Sequence, residues 1–361
     1  MNFYQSPLWR TIQQDIYKKP TFDINIKGEK YFGIVKRQRR LMKDLNRYMV
    51  HWVQSDISND PDGQFAQELT RIQRDFKRSR GDIFFQFGLL DTVWSGTTNE
   101  IKKDKELVST LTTQKATQDT KMRDDYQLLP AWREHMPDTT VQLPLTKGIT
   151  EIRTWYSSSG KRYINKAKKE DLSFEITTSE ATWKTFWRIR YSMAFDKAFT
   201  VIPEDIFLEL MRHLTESWQW RLMLAKKWNR IVSGSVVLDY TYTGHKQLIY
   251  LYGATNREYG NIWGHYRLTD QILKRGAQEW YELYDLLWVA PPGRDDHYLS
   301  WVTRFKQAFG GNTIVSVGNY DSVYNSKLYR AMQALKNKGW VMSMFGKLKN
   351  NKKDKNSNDK K

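Results

Sequence analysis

The chain has 361 residues, with 58 Lys and Arg against 40 Asp and Glu, a net charge of +18 and no cysteine. Lack of cysteine excludes disulfides, thiolate metal sites and a cysteine nucleophile, and no run of about 18 apolar residues is present to cross a membrane. The length suits two domains of ordinary size. The opening Met-Asn-Phe-Tyr-Gln-Ser-Pro-Leu-Trp-Arg has neither the charged nor the apolar region of a signal peptide, so a soluble, cytoplasmic protein is expected. The charge suits a polyanion, whether nucleic acid, anionic lipid headgroups or pyrophosphate, and does not choose among them. Aromatic residues make up 14% of the chain, either as core filling or as stacking platforms for bases or sugars.

In chain order, residues 6–19 predict a helix, with Ser6 as N-cap, Pro7 in the first turn and Leu8, Ile12 and Ile16 on one face. Phe22–Ile26 and Tyr31–Val35 read as strands around a Lys27-Gly28-Glu29 turn. Residues 64–78 place Phe65, Leu69, Ile72 and Phe76 at helical spacing, and Asp82–Gly88 reads as a strand stopped by its glycine. Residues 99–125 are polar, either loop or solvated helix. Residues 130–147 look extended, and a boundary is expected near residue 150.

A second α and β pattern follows. It comprises a basic helix Lys161–Lys169, a strand Leu172–Ile176, an aromatic-rich helix Glu180–Phe195 and a helix opening at Pro203 with acids in its first turn. Trp220–Lys227 and Arg230–Tyr240 pair through a Trp228-Asn229 turn. Gln247–Tyr252 is a strand with Tyr250 and Tyr252 expected on one face. Gly264–Arg275 is a helix ended by Gly276, and Tyr284–Val289 is a buried strand. This order resembles the acyltransferase core of the GNAT superfamily, with a looser copy in the first third; no fixed-period repeat supports the duplication. Residues 347–361 hold seven Lys and two Asp, either a solubilising tail or one that adheres weakly to membrane or RNA.

Much chemistry is unsupported. The six histidines form no metal-binding spacing, and no Gly-x-Ser-x-Gly or Walker A motif occurs. His297 lies in a loop after a buried strand, where site residues gather and where plain surface histidines also lie. Arg257-x-x-Gly260 matches part of a GNAT phosphate turn, but Ile262 replaces its last small residue, which argues against coenzyme A. Lys306 stands between Phe305 and Phe309 on a short helix stopped by Gly310-Gly311. It is either a cation directed into a cleft or a surface lysine whose stem covers the rings.

Together, Tyr284-Asp285, Phe305-Lys306-x-x-Phe309-Gly310-Gly311, Tyr250-Leu-Tyr-Gly-Ala254, Ser6-Pro-Leu-Trp-Arg-Thr-Ile-Gln13 and Lys161-Arg-Tyr-Ile-Asn-Lys-Ala-Lys-Lys169 resemble the ordered signatures of the FemABX family of peptidoglycan-bridge aminoacyltransferases. The resemblance implies an α+β protein of two GNAT-like domains with a cleft between them. These are 1–150, completed by 318–345, and 151–317, with 346–361 a disordered basic tail. It implies transfer of an amino acid from aminoacyl-tRNA to the stem peptide of a peptidoglycan precursor, either lipid II or a UDP-MurNAc-peptide, without cofactor or metal. Peripheral contact with the inner membrane face goes with such an acceptor. Lys306 is then the catalytic cation, and Tyr250, Tyr252, Phe305, Asp285 and Lys36 are substrate-binding. Lys161, Arg162, Lys166, Lys168 and Lys169 meet tRNA phosphates, or form a solvated face.

Members that bind the UDP precursor carry Arg-Pro and a nearby Tyr where this chain has Val201-Ile202-Pro203 and Ile206-Phe207. The acceptor diphosphate therefore falls to Lys36, Arg37, Arg39 or Arg40. No heptad insertion marks the family's coiled-coil arm. Two other readings stand beside this one: a CoA-dependent N-acyltransferase of the same fold, and a non-catalytic protein of RNA or membrane surfaces.

Overall fold

The structure, a computed structural model, describes residues 3–40, 43–53, 63–76, 81–132, 137–197, 199–216, 220–242 and 244–334. The expected basic tail and the stretch 335–345 lie outside the described residues.

A 3-10 turn, Phe3–Gln5, leads into helix α1, Pro7–Thr11, which widens into a π turn over Ile12–Ile16. Ser6 caps the start by accepting from Trp9 N at 3.2 Å, so one orphan donor of the first turn is satisfied. Strands β1 (Thr21–Ile26), β2 (Glu29–Arg40) and β3 (Lys43–Val53) form an antiparallel meander. Lys27 and Gly28 both have positive φ, 51° and 81°, the backbone of a tight hairpin turn. Helix α2 (Gln64–Phe76) crosses over to β4 (Asp82–Thr97), which runs parallel to β3. The expected stop at Gly88 is wrong: β4 continues through it, because its edge is paired with a late strand.

The polar stretch 99–125 is helical, as α3 (Thr98–Lys103) and α4 (Lys105–Tyr126). Thr97 and Glu100 form a capping box, and Asp104 caps α4. Leu111, Met122 and Tyr126 are its buried contacts, few enough to explain the weak periodicity. Short β5 (Leu129–Pro130) and β6 (Thr139–Pro144) follow.

The second half contains α5 (Gly148–Thr154), α6 (Ser158–Ala167), β7 (Ser173–Thr177), α7 (Glu180–Lys197) and α8 (Glu204–Glu216). An antiparallel set β8 (Trp220–Lys227), β9 (Arg230–Tyr242) and β10 (His245–Thr255) then leads through α9 (Gly264–Gln278) to β11 (Leu283–Trp288), parallel to β10. Gly276 does not end α9. A Cβ there would lie 2.7 Å from Leu145 Cδ1, so the glycine lets the helix press on the sheet. Helix α10 (Ser300–Lys306) and β12 (Asn312–Val323) complete the order.

Among the described residues these strands form one sheet, ordered β1-β2-β3-β4-β12-β6-β11-β10-β9-β8-β7, with β5 beside β12. The fold is α+β. Each half repeats one theme: three antiparallel strands, then a helix carrying the chain to a fourth strand parallel to the third, as a parallel pair requires. The three largest apolar clusters among the described residues cover the sheet: one beneath α2 and α4, one beneath α5, α6 and α9, and one between the N-terminal segment, α7 and α8. No helix among the described residues is long and apolar enough to cross a membrane.

Candidate active site

The site forms where β10 and β11 lie side by side. After Trp288 the chain leaves the sheet through Pro291-Pro292-Gly293 and returns as α10. Thr303 holds that return: its hydroxyl accepts from Ala290 N at 2.7 Å and donates to Leu299 O at 2.8 Å. Lys306 is thereby carried inward on the last residue of α10. It is only 5% exposed, Nζ donates to Trp288 O at 2.8 Å and sits 5.3 Å from the centre of the Tyr250 ring. Burial favours the uncharged amine and draws its pKa down to about 7, while the Asp285 charge opposes this.

Asp285 is also buried. Its carboxylate accepts from Thr140 Oγ1 at 2.5 Å, Leu287 N at 2.7 Å and Gln142 Nε2 at 3.1 Å. Burial raises its pKa above the usual carboxylate value despite these donors and Lys306. Between it and Trp288 the pairing of β11 with β6 slips, and Leu287 takes φ 56°. A branched residue at positive φ in a strand is strained, and here it turns the chain between two cavities.

One cavity, of about 350 Å³, is lined by Lys306, Tyr250, Tyr252, Trp288 and Leu287, by Lys36, Ile34 and Phe32 of β2, and by Tyr4, Trp9, Gln13 and Tyr17. Strands from both halves and the N-terminal segment thus enclose the lysine. A second cavity, about 380 Å³, is lined by Asp285, Thr140, Gln142 and residues of β4 and β12. Tyr4 and Leu287 border both.

The expectation that Tyr250 and Tyr252 share a face is wrong. A bulge between them pairs Tyr250 with Val237 and Tyr252 with Val236, and a bulge reverses the alternation of a strand. Tyr250 packs in the cluster beneath α9, where its hydroxyl lies 3.1 Å from His265 Nε2. Tyr252 packs toward α7, where the Arg190 guanidinium stands 4.5 Å from its ring. Both still reach the lysine's cavity.

The stretch that carries these groups also carries a family signature. Residues 221–337 match the model of the FemAB family. This segment belongs to the FemAB family. It contains Tyr250, Tyr252, Asp285, Phe305 and Lys306, whereas Lys36 and α6 lie outside it. Across nearly the whole chain the fold is similar to that in a solved structure of FemX: TM-score 0.62, 14% identity, 92% of this chain and 94% of that one covered. Looser likenesses cover 84% of this chain and 83% of a tandem GNAT protein from the clavulanic acid biosynthesis pathway (TM-score 0.45, 10% identity), and 87% of this chain and 93% of L-PGS from Bacillus licheniformis (TM-score 0.44, 10% identity). No curated protein sequence matches.

Within the FemAB-family segment, Phe305 does not line either cavity. Its ring packs on His265 at 4.7 Å, Tyr266 at 5.1 Å and Phe309 at 5.4 Å, so it seats α10 on α9. The Arg257-x-x-Gly260 turn borders a separate open groove with Arg188, Lys226 and Arg230. His297 is buried, and its Nδ1 accepts from Leu299 N at 3.3 Å, shaping the turn before α10. Among the described residues no group of His, Asp and Glu could hold a metal ion.

Outside that segment, Lys36 lies on the cavity wall while Arg37 is exposed. The side chains of Arg39 and Arg40 lie outside the described residues. Lys161, Arg162 and Lys166 of α6, with Lys168 and Lys169 just beyond it, are all exposed. Arg162 lies 5.0 Å from the ring of Tyr163, which stacks on Trp263 at 3.8 Å.

Arg190 was not legible in the sequence. Its guanidinium sits between the rings of Tyr252 and Phe199, donates to Gly253 O at 3.2 Å, and has its pKa lowered by burial. Surrounding aromatics on α7 read as core, and nothing in the spacing separates this arginine from its exposed neighbours.

Proposed function

We propose that this protein is a tRNA-dependent aminoacyltransferase that extends the stem peptide of a peptidoglycan precursor. The observation that carries the reading is the buried Lys306 ammonium on the wall of a cavity bounded by both halves of the fold, in the FemAB-family segment. The chemistry is aminolysis of an ester. The acceptor amine attacks the aminoacyl carbonyl, its electron pair forms the amide bond, and an oxyanion develops. The ester C–O bond then breaks, and the ribose oxygen leaves with the proton that the amine loses. A cation held in a low-dielectric pocket stabilises that oxyanion more than it would in water.

In this reading Lys306, fixed by Trp288 O, supplies that charge. Tyr250 and Tyr252 border the acceptor peptide, and Lys36, on the wall of the same cavity, meets the acceptor's phosphate. Asp285 keeps a positive charge on Lys306 more accessible than burial alone would allow. The exposed cations at 161, 162, 166, 168 and 169 provide sequence-independent contacts to tRNA phosphates.

The test is a Lys306→Met variant assayed with aminoacyl-tRNA and muropeptide acceptors, the product read by mass. Transfer is expected to fall about 10²–10³-fold, the usual cost of one oxyanion donor, with tRNA affinity unchanged. Full activity of the variant would remove Lys306 from the mechanism.

A further inference from the structure

The cavity that holds Asp285 has electrostatics opposite to the rest of the molecule. The chain carries +18, and the Lys306 cavity and the groove beside Arg257 are both lined by cations. Among the described residues that line the Asp285 cavity, Asp138 and Asp285 are the only charged ones. Its space opens where strand pairing slips on two sides: in β12 against β4 between Val315 and Gly318, and in β11 against β6 between Asp285 and Trp288. Gly318 has φ 99°, and a Cβ there would lie 3.1 Å from Asp138 Oδ2, so a side chain at this position would crowd that carboxylate. Asp285 accepts from three neutral donors, and a carboxylate has about four acceptor sites, so one more donor can join. Lys115 Nζ stands 3.9 Å from Asp138 but is held by Val317 O and Asp119 and does not line the cavity. Leu89, Ile249, Leu287 and Ile314 make the remaining wall apolar. Such a lining suits a chain that is aliphatic along its length and cationic at its end.

We propose that this cavity binds a primary ammonium on an aliphatic stem, and that the stem is the side chain of the residue being transferred. The inference rests on the proposed function and deepens it by naming a basic donor residue. In that reading the acceptor occupies the Lys306 cavity, which leaves the neighbour across Tyr4 and Leu287 for the donor. A carboxylate in a low-dielectric enclosure attracts an ammonium and repels an anion of the same size. An uncharged side chain of the same length would leave Asp285 buried without a counter-charge. The pocket therefore discriminates by charge more than by length. A stem peptide containing a diamino acid offers the same chemistry from the acceptor's side, so the two sources need separate arms in the test.

The experiment is calorimetry of the full chain with lysine ethyl ester and norleucine ethyl ester, which differ by the terminal ammonium. A pair of pentapeptides with lysine or norleucine as the third residue forms the acceptor arm. Wild type is compared with Asp138→Asn and Asp285→Asn, two isosteric changes whose folding is checked by thermal melting; should Asp285→Asn fail to fold, Asp138→Asn carries the test. Wild type is expected to bind the lysine ester at least about tenfold more tightly than the norleucine ester, and the variants to lose that preference. One tRNA charged with either residue should show the same preference in transfer. Equal binding of the two esters, binding of neither, a preference that survives the substitutions, or a preference confined to the pentapeptides would overturn the proposal. Calorimetry needs no turnover. Lysine-selective binding without transfer therefore refutes the aminoacyl-transfer reading and keeps the pocket, whereas transfer indifferent to the donor's side chain refutes the pocket alone.

Discussion

Lys306 joins burial to titration. Its pKa near 7 lies far below the ordinary lysine value, so the folded chain binds this proton less well than the unfolded chain does. Between about pH 7 and the ordinary lysine range the unfolded state carries more protons, and by linkage stability rises with pH through that window. Two outcomes follow. If the ammonium is the working form, kcat/KM should descend above about pH 7, and a Lys306→Arg variant, however slow, should lose that limb because arginine does not titrate there. Lys306→Met should also raise the melting temperature at pH 6 while it slows transfer, because a buried cation is replaced by an apolar group of similar size; melting curves with and without the substitution measure this. From its neighbours Phe305 and Phe309 the sequence offered Lys306 either as a cation directed into a cleft or as a surface lysine, and it could not say that Phe305 turns to α9. On a helix of a single turn or two, spacing fixes neighbours along the chain and leaves open which of them faces the cavity.

At the scale of the element, what the sequence hid was irregularity. Most helices and strands were legible from period and caps, including the two tight turns at Lys27-Gly28 and Trp228-Asn229. The bulges in β10 and β11 were not, because one extra residue in a strand leaves no mark in composition. Those bulges separate Tyr250 from Tyr252 and turn Leu287 between the cavities. Gly276 misled for a related reason: the same residue serves as a helix stop and as a site of close packing, and only the position of Leu145 distinguishes them. Asp321 of β12 is a further element-scale feature. Its buried carboxylate accepts from Gln86 Nε2 at 2.8 Å, Trp132 N at 3.0 Å and Tyr329 Oη at 2.8 Å, tying β12 to β4 and to the segment after it. An Asp321→Ala variant strands three donors and should lower the unfolding free energy by about 2–4 kcal/mol, checked by urea denaturation. Transfer at low temperature should survive, since Asp321 lines neither cavity.

On the scale of the whole molecule, the two repeated αβ themes support a division into a first unit, 1–150 completed by 318–345, and a second, 151–317, which we offer as a proposal. Strand β12 pairs with β4 of one half and β6 beside the other, so the halves share a seam in the centre of the sheet. Their order along the chain was readable; that seam was not, because nothing local announces a partner lying hundreds of residues away. Gln86 and Asp321 are 235 positions apart. At about 5–20 residues per second the ribosome needs roughly ten to fifty seconds to travel between them, and throughout that interval β4, with Phe84, Phe85 and Phe87, waits without β12 on its other edge. An unpaired apolar edge is an invitation to other chains. Newly made copies should therefore depend on chaperone holding, and refolding from denaturant should lose yield steeply as protein concentration rises, a loss measured by light scattering.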